Sequence, residues 1–86
     1  MRGRELVGKN IRRIRVERGV SQERLAFDAS VDRSYLGGIE RFDENPSVDT
    51  LDKIAAILNV GVLEFFLPIR DDENLSGLRP GRKKRD

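Results

Sequence analysis

The stretch QERLAFDASVDRSYLGGIER, from Gln22 to Arg41, is the strongest constraint on how this chain can fold. Read as helix, break, helix, it puts Leu25, Ala26 and Ala29 on the inner side of one short helix. Leu36 and Ile39 fall on the inner side of a second, and Val31 plugs the joint. Asp32 is a good N-cap for that second helix, so only a tight turn separates the two. Helices joined so closely must cross at a steep angle. Arg33, Ser34, Gly37, Gly38 and Arg41 are expected to point outward, with Tyr35 at the flank.

The flanking segments read as further helices. Val7, Ile11 and Ile14 recur at i, i+4, i+7 across residues 4–18, with Leu6 widening the stripe and Gly19 ending it. Gly8 interrupts that pattern, at about 1 kcal/mol against alanine in a helix interior. Ser21 caps the second helix, which ends near Ala29 and Ser30. Residues 42–46 form a loop, because Asp43, Glu44 and Asn45 favour turns and Pro46 biases Asn45 away from helix. Ser47 caps a fourth helix with Val48, Leu51, Ile54, Ala55 and Leu58 as its buried stripe, and Asn59 suits a left-handed residue after it. A short fifth helix over about Val62 to Phe66, with Phe65 as a core anchor, stops at Pro68. Residues 70–86 carry almost no apolar content and a closing basic run, and are expected to be a disordered tail.

With neither cysteine nor histidine, the chain lacks disulfides, thiolate or imidazole metal ligands, and any triad that needs a His base. No spacing supports a carboxylate-only metal site or a Ser–Lys pair, so neither an enzyme nor a cofactor is expected. The charged N-terminus leads into no apolar run, and a membrane span needs about 20 apolar residues, so the chain reads as soluble and cytoplasmic. Net charge is only +2, but residues 2–18 carry +5, residues 19–69 carry −5 and residues 70–86 carry +2. Such segregation fits either solvated faces that resist aggregation or a basic side that meets phosphate. The outer face of the second short helix is small and polar with two guanidinium groups, which suits a DNA groove.

Counted from Gln22, apolar residues fall at the fourth (Leu25), eighth (Ala29), tenth (Val31), fifteenth (Leu36) and eighteenth (Ile39) positions, with the small Ala26 at the fifth. Together with the lead-in RGVSQERLA, the helix SYLGGIER and the segment NPSVDTLDKIA, this phasing resembles the phage-repressor and Cro-like, XRE-type helix-turn-helix family over about residues 6–67. The resemblance implies an all-α, compact five-helix DNA-binding domain over residues 1–69, its helix-turn-helix made by helices 2 and 3. It implies a transcriptional regulator, a repressor or autoregulator, that binds operator half-sites of double-stranded DNA through the major groove as a homodimer.

Residue roles carry over with it. Gln22 is expected to grip a phosphate and brace the base-reading side chain, and Arg33 and Ser34 to read base edges. Gly38, one turn on, stands where a further base is usually read, and Tyr35 where an aromatic bonds a phosphate. Arg41 and the loop through Asn45 are expected at the backbone, and Ser21, Arg24 and Gly37 complete the DNA-binding set. Arg15 and Glu40 are expected to pair, and Phe66 and Leu67 to belong to the dimer interface. Two departures stand out. Ser30 replaces the usual glycine at the ninth position, which strains the turn by about 1–2 kcal/mol or re-forms it. Gly37 and Gly38 have no side chain to read with, which leaves Arg33 as the one strong direct reader.

Several features keep two readings. The paired glycines either permit close packing or let the helix seat deeply, leaving part of the specificity to DNA shape. Arg15 and Glu40 are either separate surface charges worth about 0–1 kcal/mol or a partly buried pair that is costly to break. Phe66 and Leu67 are stray apolar residues or a dimer contact. The GRKKR run is an inert end or a supplementary phosphate-binding arm. For the whole chain the rival function is a protein-interaction or antitoxin-like adaptor module using the same fold.

Overall fold

The computed structural model describes residues 2–69, and no strand occurs among them. Four α-helices follow in order: α1 (Gly3–Glu17), α2 (Gln22–Ala29), α3 (Arg33–Glu40) and α4 (Val48–Leu58), then a 3₁₀ segment, Val62–Phe66. The expected fifth helix is therefore corrected to a 3₁₀ segment over the same residues, not an α-helix. The six residues between Gly61 and Pro68 are too few for a costly α-helical nucleus to be worth forming. Val48 is also corrected: it is 66% exposed, at the very start of α4. The expected tail at 70–86 lies outside the described residues.

Local chemistry sets the helix limits. Ser21 Oγ accepts from Arg24 N at 3.0 Å, Asp32 Oδ2 from Tyr35 N at 3.3 Å and Ser47 Oγ from Thr50 N at 3.0 Å. Each cap satisfies an N–H that has no partner inside its helix. All four α-helices end in one closure: Val20 N bonds back to Arg15 O, Val31 N to Ala26 O, Asp43 N to Gly38 O and Val60 N to Ala55 O. The left-handed residues that allow it are Gly19, Ser30, Phe42 and Asn59.

Ser30 thus takes the conformation that glycine would take, at φ 60° and ψ 42°, and the turn keeps its form. Its exposed side chain buries nothing in exchange. Ser30→Gly is expected to stabilise the fold by roughly 0.5–1 kcal/mol, the relief of left-handed strain less the added entropy of an unfolded glycine. A thermal melt should shift upward by a few degrees; an unchanged or lower midpoint would show that Ser30 carries no strain.

The inner faces meet in one core. Val7, Ile11 and Ile14 of α1, Leu25, Ala26 and Ala29 of α2, and Leu36 and Ile39 of α3 are all buried. Leu51, Ile54, Ala55 and Leu58 of α4 join them, and Phe65 is fully enclosed. Helix α1 packs against α3 and the 3₁₀ segment, while α2 packs against α3 and α4. Val31 sits at the joint, partly buried against this core. The packing leaves the N-terminal end of α3 on the surface.

Candidate nucleic-acid interface

A buried ionic bracket sets the orientation of α3. Arg15 Nε donates to Glu40 Oε2 at 2.7 Å and Arg15 Nη2 to Glu40 Oε1 at 3.0 Å. The third nitrogen, Nη1, donates to Val20 O at 2.8 Å, and Gln22 Nε2 donates to Glu40 Oε1 at 2.9 Å. Arg15 and Glu40 are each 8% exposed, so the pair is buried rather than two separate surface charges. One carboxylate at the last residue of α3 thereby ties α1, the α1–α2 linker and the first residue of α2 together. Planar fork-on-carboxylate geometry also fixes direction, which a lysine could not do. The Gln22 amide points inward to Glu40, and one of its two N–H donors is left over for another acceptor.

The open face carries few charges. Arg33 and Ser34 are exposed in the first turn of α3, and Arg33 has no ion-pair partner among the described residues. Tyr35 is half-buried and packs against the core. Arg24 Nε lies 2.9 Å from Asp28 Oδ2, and Arg41 Nε 3.3 Å from Asp43 Oδ2. Both arginines are largely exposed and such pairs are worth at most about 1 kcal/mol, so either arginine can exchange its carboxylate for a phosphate at little cost. Ser21 and Asn45 are exposed.

The two glycines are corrected in exposure: Gly37 and Gly38 are buried under other side chains, not bare. A Cβ on Gly37 would stand 3.2 Å from Arg41 Nη1 and 3.7 Å from Gln22 Oε1. On Gly38 it would stand 2.6 Å from Glu44 Cγ. Side chains from outside α3 thus occupy the space these residues vacate, and close approach of that kind is what glycine allows.

A helix-turn-helix family model, HTH_3, matches residues 11–65, which contain the whole of α2 and α3. The chain belongs to this XRE-type helix-turn-helix family. It is 38% identical over 76 residues to an uncharacterized HTH-type transcriptional regulator, y4dJ, of Sinorhizobium fredii, covering 88% of this chain and 96% of that one. It is 43% identical over 73 residues to the HTH-type transcriptional regulator SinR of Bacillus licheniformis, covering 84% of this chain but only 65% of that protein. Among solved structures it resembles the restriction-modification controller protein C.AhdI of Aeromonas hydrophila, at a TM-score of 0.71 and 40% identity. That match covers 73% of this chain and 96% of the other.

In this helix-turn-helix domain some structural residues escaped the sequence reading. Asn10 is fully buried and its amide donates to Phe65 O at 3.0 Å and Leu67 O at 2.9 Å, clamping the 3₁₀ segment to α1. Its own Oδ1 accepts from Arg13 Nη2 at 2.9 Å. Arg18 Nε donates to Leu58 O at 2.7 Å, which caps the end of α4. A buried-stripe position held by asparagine, as Asn10 is beside Ile11, was the available signal for the first; nothing local marks the second. Phe66 and Leu67 are 43% and 37% exposed, and Ile57 and Leu63 of the same C-terminal region are 41% and 68% exposed. No helix among the described residues is long and apolar enough to cross a membrane.

Proposed function

We propose that the chain is a sequence-specific double-stranded DNA-binding transcriptional regulator, a repressor or autoregulator, that binds a pseudo-palindromic operator as a homodimer. The observation that carries this is the first turn of α3: Arg33 and Ser34 stand exposed, with Arg33 free of intramolecular carboxylates among the described residues, on a helix locked by the Glu40 bracket. Arg33 reads a guanine through O6 and N7, a bidentate contact worth about 1–3 kcal/mol of discrimination. Ser34, Tyr35, Gln22, Ser21, Arg24, Arg41 and Asn45 serve mainly the backbone, which positions α3 without encoding sequence. The DNA-binding unit spans residues 1–69 and works in the cytoplasm, on the chromosome.

The exposed Phe66 and Leu67, with Ile57 and Leu63 also exposed, support a two-fold contact through the α4 and 3₁₀ region. A dimer doubles the sparse reading by Arg33, with half-sites about one helical turn apart, ~10–10.5 bp. Arg33→Ala is expected to remove preference at one base in each half-site. Arg41→Ala should weaken all duplexes alike and flatten the salt dependence by roughly one unit per lost phosphate contact. Gel shifts over a salt series with matched and single-substituted duplexes separate the two effects. Full discrimination by the Arg33→Ala protein would remove Arg33 as the reader. Salt-insensitive, negligible binding by the wild type would favour the adaptor reading, which the 78% exposure of Phe27 on α2 would then serve.

A further inference from the structure

Helix α3 presents one polar side chain to its outer face that it does not itself carry. Ser34 and Gly38 lie four residues apart, on one face of the helix and one turn from each other. The closure after α3 sets Phe42 at φ 72° and bonds Asp43 N to Gly38 O at 2.8 Å, so the chain folds back along the helix end. Glu44 then lies against Gly38. Its Cγ is 2.6 Å, and its Oε2 3.3 Å, from the point where a side chain of residue 38 would begin. Glu44 is half-buried there, against a residue one helical turn on from the exposed Ser34.

We infer that Glu44 is a base-reading residue of this protein, standing in for the side chain that Gly38 lacks and accepting a hydrogen bond from a cytosine amino group. The role presupposes the DNA contact proposed above. An ionised carboxylate has acceptors only. In the major groove guanine shows it two acceptors, and thymine an acceptor and a methyl group. Adenine sets an acceptor beside its one donor, whereas cytosine N4 is a donor with no competing acceptor. A carboxylate held in this place therefore repels or ignores three bases and accepts from the fourth. It also repels every phosphate alike. Glu44 thus contributes selectivity at the expense of affinity, the reverse of a surface arginine.

Two substitutions separate this role from mere repulsion. Glu44→Gln keeps the shape, removes the charge and adds a donor suited to adenine N6 and N7. Gly38→Ala leaves the carboxylate in the chain, but its Cβ occupies the space that the flexible Glu44 side chain now fills, so Glu44 must swing away. The full-length wild type and both variants, each checked for folding by circular dichroism, are put through selection from a random duplex library. Bound sites are then compared column by column.

The wild type is expected to enrich a symmetric site with cytosine at one column per half-site, near the guanine assigned to Arg33. Glu44→Gln should change that column towards adenine, Gly38→Ala should flatten it, and both should leave the Arg33 guanine in place. A preference of about fivefold or more is the lower end for a good side chain–base pair. If Glu44→Gln tightened binding to all duplexes and shifted no column, Glu44 would be a repelling charge and no reader. If the wild type enriched a site and both variants enriched the same one, the inference would fail while DNA binding stood. Enrichment of nothing by the wild type would overturn both.

Discussion

Glu40→Ala is expected to lower the unfolding free energy by about 3–5 kcal/mol, the cost of removing one partner from a buried ion pair. The size follows from what is left behind. Arg15 is 8% exposed, and its guanidinium would keep only the bond to Val20 O. Gln22 would lose its acceptor as well. A domain of this size has only about 5–15 kcal/mol in total, so the loss is a large fraction of its stability. Urea denaturation followed by far-ultraviolet circular dichroism measures it. Glu40→Gln should cost nearly as much despite its matching shape, because the charge on Arg15 remains unpaired. Replacing both residues, Arg15→Met with Glu40→Leu, should recover much of the loss, since an apolar pair of similar volume carries no desolvation cost. A loss under about 1 kcal/mol in both single variants would mean that the pair behaves as an exposed one.

Gly8→Ala has the second large effect, and its sign opposes helix propensity. In the interior of a solvent-exposed helix, glycine to alanine gains about 1 kcal/mol. At Gly8, however, the added Cβ would collide with the backbone carbonyl of Ile39 and stand 2.9 Å from Phe42 Cδ1. A carbonyl at the end of α3 cannot turn aside as a side chain can, so α1 and α3 must separate. Overpacking of this kind costs about 1–3 kcal/mol, occasionally more. We expect the upper end, leaving a net loss of about 2 kcal/mol after the propensity gain. Gly3 opens the same helix with nothing within 4 Å of its missing side chain, so Gly3→Ala is the control and should be neutral or slightly stabilising. Parallel thermal melts decide the matter: equal behaviour of the two variants would show that α1 and α3 tolerate a methyl group between them.

These two residues also mark how far the chain could be read before folding. The capping side chains Ser21, Asp32 and Ser47 and the left-handed Asn59 were legible because their partners lie within a few residues. The inner faces of α2 and α3 were legible because helical periodicity is local too. The Arg15–Glu40 contact came only through family resemblance, since 25 residues separate its members and nothing near either one announces the other. Asn10 and Phe65 are 55 positions apart, and Arg18 and Leu58 are 40 apart. Arg18, polar and outside the apolar stripe, looks the same whether it meets water or a distant carbonyl.

The amino-acid sequence by itself determined where the helices begin and end, which sides they bury, and that Gln22–Arg41 forms a tight helix pair with an arginine at the head of the second. Capping, periodicity and turn chemistry act over one turn of chain, so they survive in a linear reading. The tertiary structure alone decided that Gly8 is a point of backbone contact rather than a weak spot in α1. It also decided that Val48 stays outside the core and that Glu44 lies where Gly38 has no side chain. Each of these depends on what a second segment brings to within a few ångströms, and local patterns do not encode that distance.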